Sequence, residues 1–237
     1  MLLIALVIIA VLLVVAYWLF MSPFSNFIWK IPFKGETHDK LVALTFDDGP
    51  NEPYTTEILD FLNSKKIKAT FFEVGKNIEK FPGTTKKIYA AGHVIANHSL
   101  SHEFHRYFLE PSFKNEIEST QAIIKNTIGK SPALYRSPWL WRQPILLNTL
   151  KKNSLHPISG VFCNPIEVLQ PNGQQIAKTA LAKIKPGAII IFHDGFDSRG
   201  GNRSQTVKAV KLTVEELLKN GYKFVTVDKL LGLAPYQ

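Results

Sequence analysis

The sequence has one cysteine, Cys163, in 237 residues, which excludes an intramolecular disulfide and is compatible with either side of a membrane. Charge is missing from one end: the first 29 residues contain no Asp, Glu, Lys or Arg. The net charge of +9, from 28 basic and 19 acidic residues, therefore belongs to the region after Trp29. The lysines there are scattered rather than gathered into a stripe or arm, so the charge selects no partner and no nucleic-acid footprint is expected. No glycine-rich phosphate fingerprint follows the first β-like run, which argues against a nucleotide-binding open sheet. Internal repeats and low-complexity tracts are absent, and nothing points to an obligate protein partner.

What the uncharged end does contain is MLLIALVIIAVLLVVAYWLFM, apolar from Met1 to Met21 and about the ~20 residues that a helix needs to cross a hydrocarbon core. Tyr17 and Trp18 suit an interface. A cleaved signal peptide is opposed by the length of the run, the lack of a basic leading region and the lack of a small-residue cleavage site. Residues 1–21 are therefore expected to be a single-pass transmembrane anchor. Lys30, Lys34 and Lys40 after the span favour a cytoplasmic domain, and only the α-amino group argues the other way. An extracytoplasmic domain is the working expectation, with the side left open. Residues 22–39, with two prolines, suit a juxtamembrane linker, and residues 40–237 suit one globular domain.

Within that domain, apolar β-rich runs alternate with helical patterns. LVALTF is followed by a helix through YTTEILDFLNSKK, ATFFEVG by a helix over 78–91, and HVIAN by a helix over 113–127. ALYRS precedes a helix over 145–153, HPISGVF one over 174–184, and AIIIF one over 205–220 ended by Gly221, before a final strand YKFVTV. Strict alternation predicts an α/β fold with a parallel sheet covered by helices. About seven strands favour a closed or distorted β/α barrel over an open sheet.

In such barrels the reactive groups sit at the C-terminal ends of the strands. Reading along the strand ends yields Asp47-Asp48, His98, Arg136 and His193-Asp194. Adjacent carboxylates serve one site only where the strand is turning, and Gly49-Pro50 supplies a turn; taken alone, the tetrapeptide is also an ordinary Asp-Gly turn. In His98-Ser99-Leu100-Ser101-His102 two imidazoles four apart fall on one side of a helical turn, and with Asp48 they make a three-ligand metal set. His105, three further on, faces partly away. Arg136 ends an apolar strand and needs a carboxylate partner, for which Asp47 is the candidate. Trp139 and Trp141 suit the wall of a sugar or acyl pocket, and equally a plain core. His193 at the barrel rim suits a general acid.

In these residues the chain resembles the polysaccharide deacetylases, the carbohydrate esterase family 4 or NodB-homology domain, from about Leu41 to Leu231. The matching motifs are Thr45-Phe46-Asp47-Asp48-Gly49-Pro50, His98 to His102, Arg136-Ser137-Pro138-Trp139 and Ile191-Phe192-His193. Asn202 to Val207 and Gly221 to Val227 also look like the family. The resemblance implies a distorted β/α barrel and a divalent metal, usually zinc, on Asp48, His98 and His102. It implies Asp47 as general base oriented by Arg136, His193 as general acid, and the Trp139 backbone N–H as oxyanion donor. Trp139, Trp141 and Ile191 are expected to line the substrate pocket.

One motif departs from the family. An Asp-x-x-Asp-Trp-like stretch, whose acid tunes the catalytic histidine, usually lies between the third and last motifs. Ser159 to Pro165 has neither acid nor tryptophan, and Trp139-Leu140 replaces an aromatic followed by Gly. Asp194 could stand in for the acid only if its side chain turns back. The expected activity is metal-dependent hydrolysis of N-acetyl groups on amino sugars of a cell-envelope glycan, either peptidoglycan or a chitin-like N-acetylglucosamine polymer. The rivals are a deformylase or deacetylase of a lipid-linked amino sugar and a non-catalytic glycan-binding pseudoenzyme.

Overall fold

The computed structural model describes all 237 residues, the side chains of 110 and 111 excepted. After helix α1 (Leu2–Phe20), strand β1 (Leu41–Gly49) opens an alternation of α2 (Tyr54–Ser64), β2 (Thr70–Glu73), α3 (Gly75–Lys80), α4 (Pro82–Ala90) and β3 (Val94–Asn97). It continues with α5 (Glu110–Ile128), β4 (Leu134–Tyr135), α6 (Pro144–Lys152), β5 (His156–Pro157) and β6 (Val161–Phe162). The last elements are α7 (Gly173–Lys183), β7 (Ile189–His193), α8 (Ser204–Lys219), β8 (Lys223–Val225) and α9 (Val227–Leu231).

All strand pairings are parallel, in the order β5-β4-β3-β2-β1-β7-β6. β8 pairs with the first residues of β1 and β2 with the last, on the edge opposite β7. The path curls into a half-barrel, a distorted β/α barrel as expected. β1 is buried from Val42 to Gly49 because both faces of a parallel sheet are covered. On α8 the apolar positions Val207, Val210, Val214 and Leu217 repeat at helical spacing and are buried against the sheet.

Two sequence expectations are corrected. The helix expected over 78–91 is two helices, because Pro82 has no N–H to continue the first and is well placed to begin the second. The run HPISGVF is not one strand: β5 and β6 are two-residue strands at opposite ends of the sheet, separated at Gly160. A Cβ at Gly160 would meet Ile191 at 2.8 Å, so only glycine lets the chain pass there.

β5 and β6 do not pair, and residues 23–35 lie across the gap. The Ser159 N–H donates to the Pro32 carbonyl at 2.9 Å, and Gly35 N–H to the Gly187 carbonyl at 2.8 Å. Fully buried Arg142 donates to the carbonyls of Ser25 and, at 3.3 Å, Pro23. The segment expected as a linker is thus partly built into the domain. α1 is apolar on all sides, none of its residues is buried, and by length and composition it suits either a membrane span or a signal sequence.

Candidate active site

The C-terminal ends of β1 and β7 lie side by side, with Asp47 and His193 as Cα partners. Alternation along a strand sends Asp47 and Asp48 to opposite faces. The conflict is resolved by an irregularity: the β1–β2 register shifts between Asp47 and Gly49, and Asp48 has φ +70°. That left-handed conformation is costly without glycine, and it turns both carboxylates into one site. Five of the eight other non-glycine residues with positive φ, namely Ser99, His102, Trp139, Leu140 and Asp197, also belong to the loops around this point. Gly195 lets the loop after β7 pass against Asp48, since a Cβ there would meet the Asp48 carbonyl at 2.0 Å.

His98 and His102 come together, but not on a helical turn. Residues 98–102 are irregular loop, with left-handed backbone at Ser99 and His102. Buried Glu116 of α5 holds the loop by accepting from the N–H groups of Leu100 and Ser101 and from the Ser101 hydroxyl. The His98 Nδ1 lies 2.8 Å from the Arg136 carbonyl, which can only accept, so this nitrogen carries the hydrogen and Nε2 is left as a donor of its lone pair. His98 Nε2 and His102 Nε2 lie 3.3 and 3.2 Å from the same oxygen, Asp48 Oδ1. Asp197 Oδ1 stands 2.9 Å from the outer nitrogen of His102.

Asp48, His98 and His102 offer ligand atoms all within 4.8 Å of one another, and all three residues are buried. Asp48 Oδ1 has no hydrogen-bond partner although buried, which is costly unless something fills the space between it and the imidazoles. Burial pushes the Asp48 carboxyl up, but the imidazoles, His102 foremost, hold it well below the usual carboxylate range. Burial likewise lowers His102, and Asp48 and then Asp197 raise it above its ordinary value. The first direction keeps Asp48 ionised, and the second reflects the two carboxylates, Asp48 and Asp197, that favour positive charge beside His102. Two nitrogens and one carboxylate oxygen fit a divalent metal with open positions.

Arg136 reaches Asp47 as expected: its Nη1 donates to Asp47 Oδ1 at 2.5 Å and to Thr45 Oγ1 at 2.8 Å. Its other donors meet the carbonyls of Ser159 at 3.0 Å and Ile158 at 3.4 Å, and its plane lies 3.9 Å over Phe72. Asp47 Oδ2 is turned toward His98 Nε2, at 3.9 Å.

The partner of His193 was missed by sequence reasoning. It is Glu167, whose Oε2 lies 2.6 Å from His193 Nδ1. Glu167 is buried in a short 3-10 turn after β6, and Thr206 of α8 donates to its other oxygen. Burial lowers the His193 pKa, but Glu167, then Asp48 and Asp47, raise it to about 9. Asp194 does not turn back. Its carboxyl faces Thr55 Oγ1 at 2.5 Å on the far side of the strand end, and burial pushes its pKa up to about 7 despite that bond. The only signal for Glu167 was an acid within a few residues of the acid-free stretch, in a segment with no helical or strand period.

The residues open into a cleft of about 900 Å³, lined by Asp47, Asp48, His98, His102, Trp139 and His193 at one end. Trp139 packs 4.4 Å from His102, ring centre to ring centre. Trp141 and Ile191, expected at the pocket wall, lie outside it. Trp141 stacks on Phe20 at 5.5 Å, and Ile191 is fully buried against Gly160. His105 is exposed near Glu103, away from the cleft.

A model of the family described as polysaccharide deacetylase matches residues 34–158. A peptidoglycan-N-acetylglucosamine deacetylase of Bacillus cereus is 31% identical over 212 residues, 89% of this chain and 95% of its own length. A chitooligosaccharide deacetylase of Bradyrhizobium is 29% identical, over 80% of this chain and 90% of its own. Among solved structures, a peptidoglycan N-acetylglucosamine deacetylase in complex with an N-hydroxybenzamide superposes with a TM-score of 0.80 at 30% identity, covering 86% of this chain and 94% of that one. A pseudoenzyme of the same family from Bacillus anthracis superposes with a TM-score of 0.76 at 22% identity, covering 85% of this chain and 68% of that one, a likeness of fold alone.

Proposed function

This chain belongs to the polysaccharide deacetylase family, and from that premise we propose that it removes acetyl groups from N-acetylated amino sugars of a cell-envelope glycan. It is a hydrolase of carbon–nitrogen amide bonds. The observation that carries the reading is the convergence of Asp47, Asp48, His98, His102, Arg136 and His193 on one end of one cleft. A pseudoenzyme would not need to keep the entire set.

Asp48, His98 and His102 would hold the divalent ion, and their two-nitrogen, one-oxygen character suits zinc. When bound, such an ion polarises the acetyl carbonyl and acidifies water. Asp47 accepts the proton of the attacking water, whose oxygen bonds to the acyl carbon. Arg136 fixes Asp47 through Oδ1 and leaves Oδ2 facing the cleft. The Trp139 N–H takes the developing oxyanion. His193 gives its proton to the sugar nitrogen as the carbon–nitrogen bond breaks, so acetate and a free amine leave. Glu167 keeps His193 protonated at neutral pH, the task of the family's missing acid.

We also assign α1 as a membrane anchor. Its last turn is bonded into the domain, with the Arg142 N–H on the Phe20 carbonyl at 3.0 Å and the Ser25 hydroxyl on the Leu19 carbonyl at 2.9 Å.

The test is acetate release by the purified, zinc-reconstituted chain from chitooligosaccharides and peptidoglycan fragments, with metal content measured alongside. About one ion per chain is expected, lost in His98→Ala or His102→Ala. A loaded protein that releases no acetate from any of these sugars would overturn the reading.

A further inference from the structure

The cleft extends well beyond the space a sugar needs. It reaches from the metal ligands to Tyr17, Trp18 and Met21 at the end of α1, so the foot of the anchor is one wall of the active site. Between these ends the lining is largely apolar, with Phe33, Leu140, Val161, Phe162 and Pro186 among it. Such a surface suits a hydrocarbon chain better than the hydroxyl-rich faces of a glycan.

Charge is divided along the same cleft. Asp47, Asp48 and Asp197 gather at the metal site, whereas Lys34, Lys183 and Lys185 line the remainder. Lys183 gives one hydrogen bond to the Phe162 carbonyl at 3.0 Å and keeps further donors. The lysine ion pairs among the described residues involve Lys65, Lys76, Lys114 and Lys219 instead. The three cleft lysines are thus free to meet an anion, for which an ammonium is a strong point-charge donor.

Phe24 and Phe27 follow α1, Phe108 and Leu109 follow the His102 loop, and Ile166 and Leu169 flank Glu167; all six are exposed, Leu169 to 75%. They lie on the chain segments that build the cleft and its supports. Phe24 lines the cleft, and Phe108 packs on Trp141, which stacks on Phe20 at the end of α1; exposed apolar side chains next to an anchor suit a face that meets a membrane.

We propose that the substrate is an N-acetylated amino sugar still joined through phosphate or pyrophosphate to a membrane lipid, taken by the catalytic face from the bilayer surface. This deepens the deacetylase reading above and rests on it. The lipid chain lies along the apolar wall beside α1, the phosphate linkage meets the lysines, and the sugar places its N-acetyl group at Asp48. An uncharged N-acetylglucosamine polymer offers nothing to either the lysines or the apolar wall.

The test uses the full-length, zinc-loaded chain in phosphatidylcholine vesicles and three substrates. These are N-acetylglucosamine diphosphate esterified to a long prenyl chain, the same sugar diphosphate as its methyl ester, and chitotetraose. The prenyl substrate should be turned over with kcat/KM about 10-fold or more above the methyl ester. In the triple variant Lys34→Ala, Lys183→Ala, Lys185→Ala that ratio should fall toward one, and the triple Arg variant, which keeps the charge, should retain it. Equal kcat/KM on the prenyl and methyl substrates, a preference for chitotetraose, or a ratio that survives in the Ala variant would each reject the lipid-linked substrate while leaving deacetylation standing. Loaded protein that releases no acetate from any of the three rejects both.

Discussion

Asp47 and His193 are neighbours on adjoining strands, yet they are held in opposite ways. Asp47 is gripped from inside the sheet: Arg136 leaves the end of β4, crosses the barrel fully buried, and is itself fixed by Thr45, Ser159 and Ile158. His193 is gripped from outside, by Glu167 on an irregular turn that is steadied by Thr206 and Gln170. The inner grip depends on strand geometry and leaves little latitude in residue type or position. The outer one needs only a carboxylate within reach of Nδ1, and a loop can deliver that from more than one place in the chain. A family motif can therefore lose its acid while the chemistry keeps one.

The comparison can be broken at four points. Arg136→Met should do the most damage, because it strands the Asp47 carboxylate in the barrel; removing one partner of a buried pair costs about 3–5 kcal/mol, read as a lower urea midpoint at unchanged slope. A midpoint like that of the parent would mean that the inner grip is not structural.

His193→Ala comes next, with turnover reduced ~100-fold or more and metal content intact. Near-parental turnover with metal bound would transfer the acid role elsewhere.

Glu167→Gln sharpens the comparison through pH. Against the lowering effect of burial, Glu167 foremost, with Asp48 and Asp47, raises His193 from 6.5 to about 9, so under the proposed acid role its proton is present at neutral pH and is lost as pH rises through about 9. The stabilising interaction has the same sign: full below the unfolded value of 6.5, declining from there to about 9. The variant should move the alkaline limb of kcat down toward the ordinary histidine value and lower turnover at pH 8 by ~10-fold. An alkaline limb that stays in place would show that something other than Glu167 sets it.

Thr206→Val is the mildest. It removes the hydroxyl's bond to the buried carboxylate and the one it accepts from Gln170, together worth about 1–3 kcal/mol of stability, and should change turnover only a few-fold. A loss matching that of Glu167→Gln would mean that the hydroxyl, not the carboxylate alone, sets the position of His193.

The same contrast explains what was legible in the sequence. Asp47, Asp48, Arg136 and His193 lie at strand ends, and strands announce themselves by apolar β-rich runs bounded by turn residues, so their meeting could be foreseen. The alternation of the major helices and strands was legible for the same reason. Glu167 was not, because a single buried turn has no period and its meaning arises only from contact with residues 193 and 206. His98 and His102 meet through a local structure other than the one expected: spacing suggested a helical turn, whereas Glu116 folds a loop with two left-handed residues. The break before Pro82 was visible as a proline and was passed over. The separation of β5 from β6 depends on the crowding at Gly160 and has no local signal.

The gap between β5 and β6 also bears on the order in which the molecule can be completed. Its filling, residues 23–35, leaves the ribosome early, but the bonds that fix it are made to Arg142, Ser159 and Gly187, which are synthesised much later. Contacts so distant along the chain are slow to close, since the loop entropy must be met before they form. The early segment has to wait until nearly the whole sheet exists. The cleft wall that joins α1 to the barrel is therefore among the last parts of the protein to assemble, and chains stalled before Gly187 would carry β1 with its seam still open.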